Sequence, residues 1–168
     1  MEEVERAYLA GLFDGEGCAN ATFRSKAYKG KRYWWPAVQF VIAGQHQHMC
    51  QISEMFGAGA NVYEQSNRRA WEFRATNPEH VLRFIDIILP YVKLKKEQLR
   101  LLRSAAGFMI EHRSRSKWSQ KDKEFFNKNF VQTLQKSTRT GEKKGRKRTH
   151  TLFMNRAKEG KLVSFTSQ

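Results

Sequence analysis

The sequence predicts an α+β domain in the order helix, two strands, helix, two strands, helix, followed by a C-terminal helix and a basic tail. Three observations carry this. Apolar residues recur at helical spacing in some segments and alternate with polar ones in others, and the two periods, about 3.6 and 2 residues, suit different elements. Turn-forming clusters separate the segments: Lys29-Gly30-Lys31-Arg32, Gly57-Ala58-Gly59 and Ser66-Asn67-Arg68-Arg69. The 168 residues suit one domain of ordinary size, residues 1–136, and a partly flexible extension, 137–168, where Lys, Arg, Ser, Thr and Gly dominate.

The first helix is the most distinctive segment. On a wheel of about 100° per residue, Ala7, Ala10 and Gly11 share a face with Asp14, while Leu9, Leu12 and Phe13 point the other way. Bulky residues fill a core, whereas an all-small face lets a second backbone come close, so this helix predicts a helix partner. Gly15 and Gly17 should stop it. Asp14 and Glu16 then sit at the negative end of the helix dipole, at a cost of about 0.3–1 kcal/mol per exposed charge, so something positive should sit there. On spacing alone the two acids are either solvated turn residues or, if two such helices pack side by side, a doubled carboxylate cluster that a divalent metal would relieve.

From Cys18 to Tyr28 the chain alternates, with Ala19, Ala21 and Phe23 on one face and Asn20, Thr22, Arg24, Lys26 and Tyr28 on the other. A basic turn, Lys29 to Arg32, leads into a second strand over Trp35 to Ile42, with Val38, Phe40 and Ile42 inward and Gln39 outward. The exposed face of this hairpin is hydrogen-bonding and cationic, which suits a ribbon reading base edges in a major groove while its tip holds phosphate; a merely solvated face is the alternative. A helix follows from about His46 to Phe56. A second hairpin pairs Val62–Gln65 with Ala70–Ala75, with Trp71 and Phe73 inward and Glu72 and Arg74 outward.

Asn77 and Pro78 read as the start of the next helix, whose apolar residues Val81, Leu82, Phe84, Ile85, Ile88 and Leu89 end at Pro90. Another helix runs from about Lys95 to Glu111, with Leu99, Leu102, Ala105, Ala106 and Met109 at helical spacing. Ser119, with Asp122 as its box partner, caps a last helix to Lys136, with Phe125, Phe126, Phe130 and Leu134 apolar.

Charge narrows the function. A net charge of +15 makes an anionic polymer, nucleic acid first, the natural partner. No apolar run approaches the roughly 18 residues of a membrane span and the acidic start has no signal-peptide character, so the reading is soluble and intracellular, with no membrane partner. Cys18 and Cys50, only two, far apart and outside any C-x-x-C spacing, indicate neither a zinc site nor a disulfide framework, and the His46-x-His48 pair, lacking a third ligand nearby, reads as polar helix-start residues.

Leu9 through Gly17, LAGLFDGEG, resembles the signature of the LAGLIDADG homing endonucleases, in which small, bulky, acidic and glycine positions must fall in order. The element order over about residues 3 to 112 is similar to that family's αββαββα core with a curved antiparallel sheet. One copy of the motif is present. In that family, single-motif chains of this length pair as homodimers with the motif helices at the two-fold axis, so Ala7, Ala10, Gly11 and Asp14 become the expected dimer interface. The resemblance implies an intron-encoded enzyme that binds a long, near-palindromic double-stranded DNA site and hydrolyses both strands, in a prokaryotic (archaeal or bacterial) cytoplasm or an organelle matrix.

The resemblance also implies roles. Glu16 from each subunit would hold a divalent metal, Mg²⁺ with Mn²⁺ or Ca²⁺ able to take its place, helped by the Gly15 carbonyl and by Asp14. The Pro-aromatic-x-x-x-Lys-x-x-Gln run starting at Pro90 is similar to the family segment that supplies an active-site lysine, and Lys95 is its match. The family's water-positioning glutamine follows the second strand. Here the ungapped placement falls on Gly44, one residue short, so Gln45 is put forward with Gln47 behind it. Asn20, Thr22, Arg24, Lys26, Gln39, Gln65, Glu72 and Arg74 are the expected base contacts, and Lys29, Lys31, Arg32 and Arg68 the backbone contacts. The tail, with Lys143-Lys144-Gly145-Arg146-Lys147-Arg148, is an expected phosphate-binding arm. An intron-RNA maturase with intron RNA as partner, a DNA-binding regulator that does not cut, and a basic structural protein are the rival readings. Glu16, an acid facing phosphate, favours cleavage over pure binding.

Overall fold

The chain reverses at Lys29 and Gly30, whose φ angles are both positive, 46° and 73°, as a two-residue hairpin turn requires if its twist is to match the flanking strands. The computed structural model describes residues 1–57, 59–65, 70–112 and 118–137. Helix α1 is Glu3–Glu16, strands β1 and β2 are Gly17–Tyr28 and Lys31–Gly44, and α2 is His46–Phe56. Strands β3, Asn61–Glu64, and β4, Trp71–Ala75, precede α3, Pro78–Ile88, and α4, Lys96–Glu111. The last described segment is α5, Gln120–Phe126, a π-helical turn Asn127–Val131, and α6, Gln132–Ser137. The four strands form one antiparallel sheet in the order β1-β2-β4-β3. This is the predicted α+β order, but Arg68 and the tail beyond residue 137 lie outside the described residues.

Strand parity explains the layers. Ala19, Ala21, Phe23, Val38, Phe40, Ile42, Phe73 and Ala75 are buried on one face. Helices cover that face through ring contacts. Phe13 of α1 stacks on Phe40 at 4.8 Å, Phe56 of α2 on Phe73 at 5.2 Å, and Phe84 of α3 lies 5.5 Å from Phe73. The distal hairpin is held separately, by Phe23 edge-on to Phe126 of α5 at 5.8 Å.

Several boundaries differ from the periodicity reading. Strand β2 starts at Lys31 rather than Trp35 and runs through Pro36; β4 pairs with β2 only over Phe40–Gly44, so one edge of β2 is unpaired at Pro36, where a proline is tolerated. Helix α1 passes through Gly15 and stops at Gly17, which is extended (φ −81°) rather than left-handed. A Cβ at Gly17 would lie 2.3 Å from Phe13 Cδ2 and 2.5 Å from the Phe13 carbonyl oxygen, so glycine here serves close approach, not a left-handed cap. The expected single helix from Ser119 holds a π-helical turn, and Phe125 is half exposed, lying over Phe108. The wider turn shifts every side chain after Asn127 around the axis, which a pattern of 3.6 cannot anticipate.

Candidate active site and nucleic-acid face

The C-terminal end of α1 gathers the chemistry. No basic residue occupies the last turn of α1, and the positive charge expected there arrives from 78 residues downstream. Lys95 Nζ donates to the carbonyls of Phe13 (3.2 Å), Gly15 (3.2 Å) and Gly17 (2.8 Å), and its ammonium lies 5.9 Å from the Phe13 ring centroid. The Gly15 carbonyl is one that a helix end leaves without an intrahelical donor, while that of Phe13 also takes the Gly17 N–H. Lys95 itself is the N-cap position of α4. The motif helix and the Pro90-led segment thus meet at Gly15 and Lys95.

Asp14 fixes that meeting. Its Oδ2 accepts the backbone N–H groups of Lys93 (2.8 Å) and Leu94 (3.1 Å), and its Oδ1 accepts that of Lys95 (2.9 Å). Partial burial raises the Asp14 pKa, but the N–H donors of Lys93, Lys95 and Leu94 and the charge of Lys95 outweigh it and hold the carboxyl below its ordinary value. The structure therefore gives Asp14 the task of positioning the lysine. A folded-state pKa below the unfolded one contributes stability above the unfolded value, lost as pH falls through the folded value. Asp14→Asn is expected to destabilise the fold by roughly 1–3 kcal/mol at neutral pH. In denaturant titrations the gap to wild type should close as pH falls below about 4.

Glu16 is exposed at the same helix end, and the Gly15 carbonyl beside it accepts from Lys95 Nζ. An exposed carboxylate and a carbonyl with a lone pair to spare are hard oxygen donors suited to a divalent cation. Among the described residues no group of three or more His, Cys, Asp or Glu side chains could hold a metal alone.

Gln45 is exposed at the N-cap position of α2, with no side-chain capping bond, and Gln47 is also exposed. Gly44 has core-facing parity beside Phe40 and Ile42, and a Cβ there would press to 2.8 Å from Met49 Cε. A glutamine at 44 would point into the core, so Gln45 is the first position after β2 from which an amide can reach outward.

The free face of α1 is Val4, Ala7, Tyr8, Gly11 and Gly15, all exposed. Ala10 is a correction to the expected interface: it is 0% exposed within its own chain. About 60° from Phe13 on the wheel, it falls inside the apolar stripe of a core-facing helix. Val4 and Tyr8 replace it on the free face, which is therefore not all small. Tyr8 is anchored by a hydrogen bond between its hydroxyl and His48 Nε2 of α2.

On the outer sheet face, register sets Asn20 opposite Gln39, bonded at 3.3 Å from Asn20 Nδ2 to Gln39 Oε1, and Thr22 opposite Ala37. Arg24, Lys26, Lys29, Lys31 and Arg32 continue to the hairpin tip. Arg74 and Glu72 lie on the same face beside Val41 and Ala43. Glu72 is not an open acceptor: it is buried, with one carboxylate oxygen taking Gln65 Nε2 and the other Arg74 Nη2. It organises Gln65 and Arg74. Sequence reading missed Asn61 and Tyr63, which register places beside Arg74 and Glu72. Tyr63 accepts from Asn61 Nδ2 at 3.0 Å, and its ring centroid lies 5.4 Å from the Arg74 guanidinium carbon. Polar and aromatic alternation across Asn61 to Glu64 was the available signal.

The family model described as LAGLIDADG endonuclease matches residues 9–106. A search of curated proteins returned no match. Among solved structures, the chain is similar to the homing endonuclease I-CvuI in complex with the I-CreI target in the presence of Mg, with TM-score 0.72, 20% identity and coverage of 96% of this chain and 98% of that one. It is similar to the archaeal intron-encoded homing endonuclease I-Vdi141I complexed with DNA, with TM-score 0.71, 17% identity and coverage of 95% and 98%. For the LAGLIDADG meganuclease I-AabMI bound to uncleaved DNA the TM-score is 0.54 at 19% identity, covering 96% of this chain but 50% of that one. At these identities the likeness is one of fold.

Proposed function

Because the chain belongs to the LAGLIDADG endonuclease family, we propose that it is a homodimeric homing endonuclease that binds a long, near-palindromic duplex and cuts both strands with a divalent metal. The observation that carries this reading is the convergence of Glu16, the Gly15 carbonyl and Lys95 Nζ at one helix end. Glu16 and the Gly15 carbonyl of each subunit would hold Mg²⁺, or Mn²⁺ or Ca²⁺ in its place. When bound, such a metal makes water a better nucleophile and stabilises the leaving oxygen. Asp14 keeps Lys95 in place, and the Lys95 ammonium offsets charge developing on the phosphate. Gln45 orients the attacking water through its exposed amide. Asn20, Thr22 and Gln39 read base edges near the cut, while Lys29, Lys31, Arg32 and Arg68 hold the backbone.

Symmetry follows from one motif per chain. The exposed α1 face brings two copies together, and each sheet then covers one half-site. The test is to incubate the pure protein with Mg²⁺ and a randomised duplex library and sequence the cut ends. Paired cuts at the centre of a two-fold symmetric consensus are expected, and uncut DNA would reject the reading. Removing residues 138–168 is expected to weaken binding to every sequence and to flatten its dependence on salt, measured as the slope of log affinity against log salt; an unchanged slope would deny the tail a phosphate role.

A further inference from the structure

The outer face of the first hairpin changes chemistry halfway along. Near α1 its cross-strand pairs are small or amide-bearing: Cys18 with Val41, Asn20 with Gln39, Thr22 with Ala37. Beyond Thr22, each of the three outward pairs joins one cation to one aromatic ring: Arg24 with Trp35, Lys26 with Tyr33, Lys31 with Tyr28. Trp35 is 41% exposed and Tyr28 50%, large apolar surface to leave in water. The Trp35 end of this block is firmly backed, because the inward residues on either side of the Arg24–Trp35 pair, Phe23 and Trp34, are buried and Phe23 packs on Phe126 of α5. From residue 17 to residue 44 there is no acid, and the five cations all lie between Arg24 and Arg32, so the distal half is the part complementary to a polyanion.

We propose that this distal half of the hairpin recognises thymine through its C5 methyl group, with Trp35 and Tyr33 as the contact surface and Arg24 and Lys26 on flanking phosphates. The inference rests on the reading that the sheet lies in a DNA major groove. Within that groove the thymine methyl is the apolar group that distinguishes one base from the others, and the exposed Trp35 ring, which has no acceptor to offer, matches it, with the Tyr33 ring face beside it. The spacing agrees. Outward residues two apart along a strand are separated by about 6.8 Å, which is the rise of two base-pair steps. Arg24 lies seven residues beyond Gly17, so the aromatic block should meet DNA roughly seven base pairs from the centre. The hairpin thus divides its half-site into an inner part read by amides and an outer part read by shape and methyl contact.

The experiment selects binders from two randomised duplex libraries, identical except that one carries deoxyuridine in place of every thymine, with the full chain and no divalent metal. From the thymine library, selected sequences are expected to be enriched in thymine in two symmetric outer blocks. From the deoxyuridine library that enrichment should fall about fourfold per contacted methyl, while the inner preference set by Asn20 and Gln39 persists. Trp35→Ala, at an exposed position, should lose the thymine enrichment at the base Trp35 faces even with the thymine library, with an unchanged thermal midpoint showing that the fold survives. Outer preferences that are identical in the two libraries would overturn the proposal and leave duplex recognition standing. A single-stranded library that outcompetes the duplex would overturn it in favour of stacking on unpaired bases. No enrichment in either library would remove duplex recognition and the proposal together.

Discussion

Glu16→Gln is expected to bind target DNA at least as tightly as wild type and to lose more than about 100-fold in cleavage, because even an outer-shell partner of a metal site is worth about 10- to 100-fold. The two effects have one origin. In the proposed complex Glu16 places a negative charge beside phosphate, and the neutral amide removes that repulsion; relief at the negative end of α1 itself is worth about 0.3–1 kcal/mol. A neutral amide oxygen holds a hard divalent cation far less well than a carboxylate. The fold should not suffer, since Glu16 is exposed and the loop around it is held by Asp14 and Lys95. A mobility-shift titration without metal measures the first effect, and single-turnover cleavage in Mg²⁺ the second. Normal cleavage by this variant would move the metal role off Glu16 altogether.

Much of this arrangement was legible in the sequence, for identifiable reasons. The first hairpin follows from strict alternation between Cys18 and Phe23, where one shifted residue would turn every side chain over. The caps at Asn77 and Ser119 follow from side-chain chemistry and both form, Asn77 accepting Glu79 N–H at 2.9 Å and Ser119 that of Asp122 at 3.1 Å. The dipole of α1 called for a cation at its C-terminal end, and Lys95 supplies it. What stayed hidden depends on tertiary contacts. No local pattern says that Asp14 will bind three N–H groups about 80 residues away, or that Glu72 will be enclosed by Gln65 and Arg74. Ala10 was misplaced because a helical wheel ranks directions, while burial depends on how far neighbouring side chains close over a small one.

Gly11 offers the sharpest separation of folding from assembly. A Cβ built there meets nothing within 4 Å in the chain, and the position is exposed on the free face of α1. Within a single subunit Gly11→Leu therefore introduces no clash, and the higher helix propensity of leucine should stabilise the monomer by up to about 1 kcal/mol. In a dimer whose helices cross at this face the same side chain occupies the space of the partner backbone, an overpacking that costs at least about 1–3 kcal/mol and twice over by symmetry. The variant is expected to elute as a folded monomer, with a thermal midpoint at or above that expected for the isolated subunit, and to cut no duplex, because the proposed site draws Glu16 from each subunit. Sedimentation at matched concentrations decides the matter. A Gly11→Leu chain that still sediments as a dimer would place the interface elsewhere on the molecule, whereas a chain that unfolds would mean that the space around Gly11 belongs to its own core.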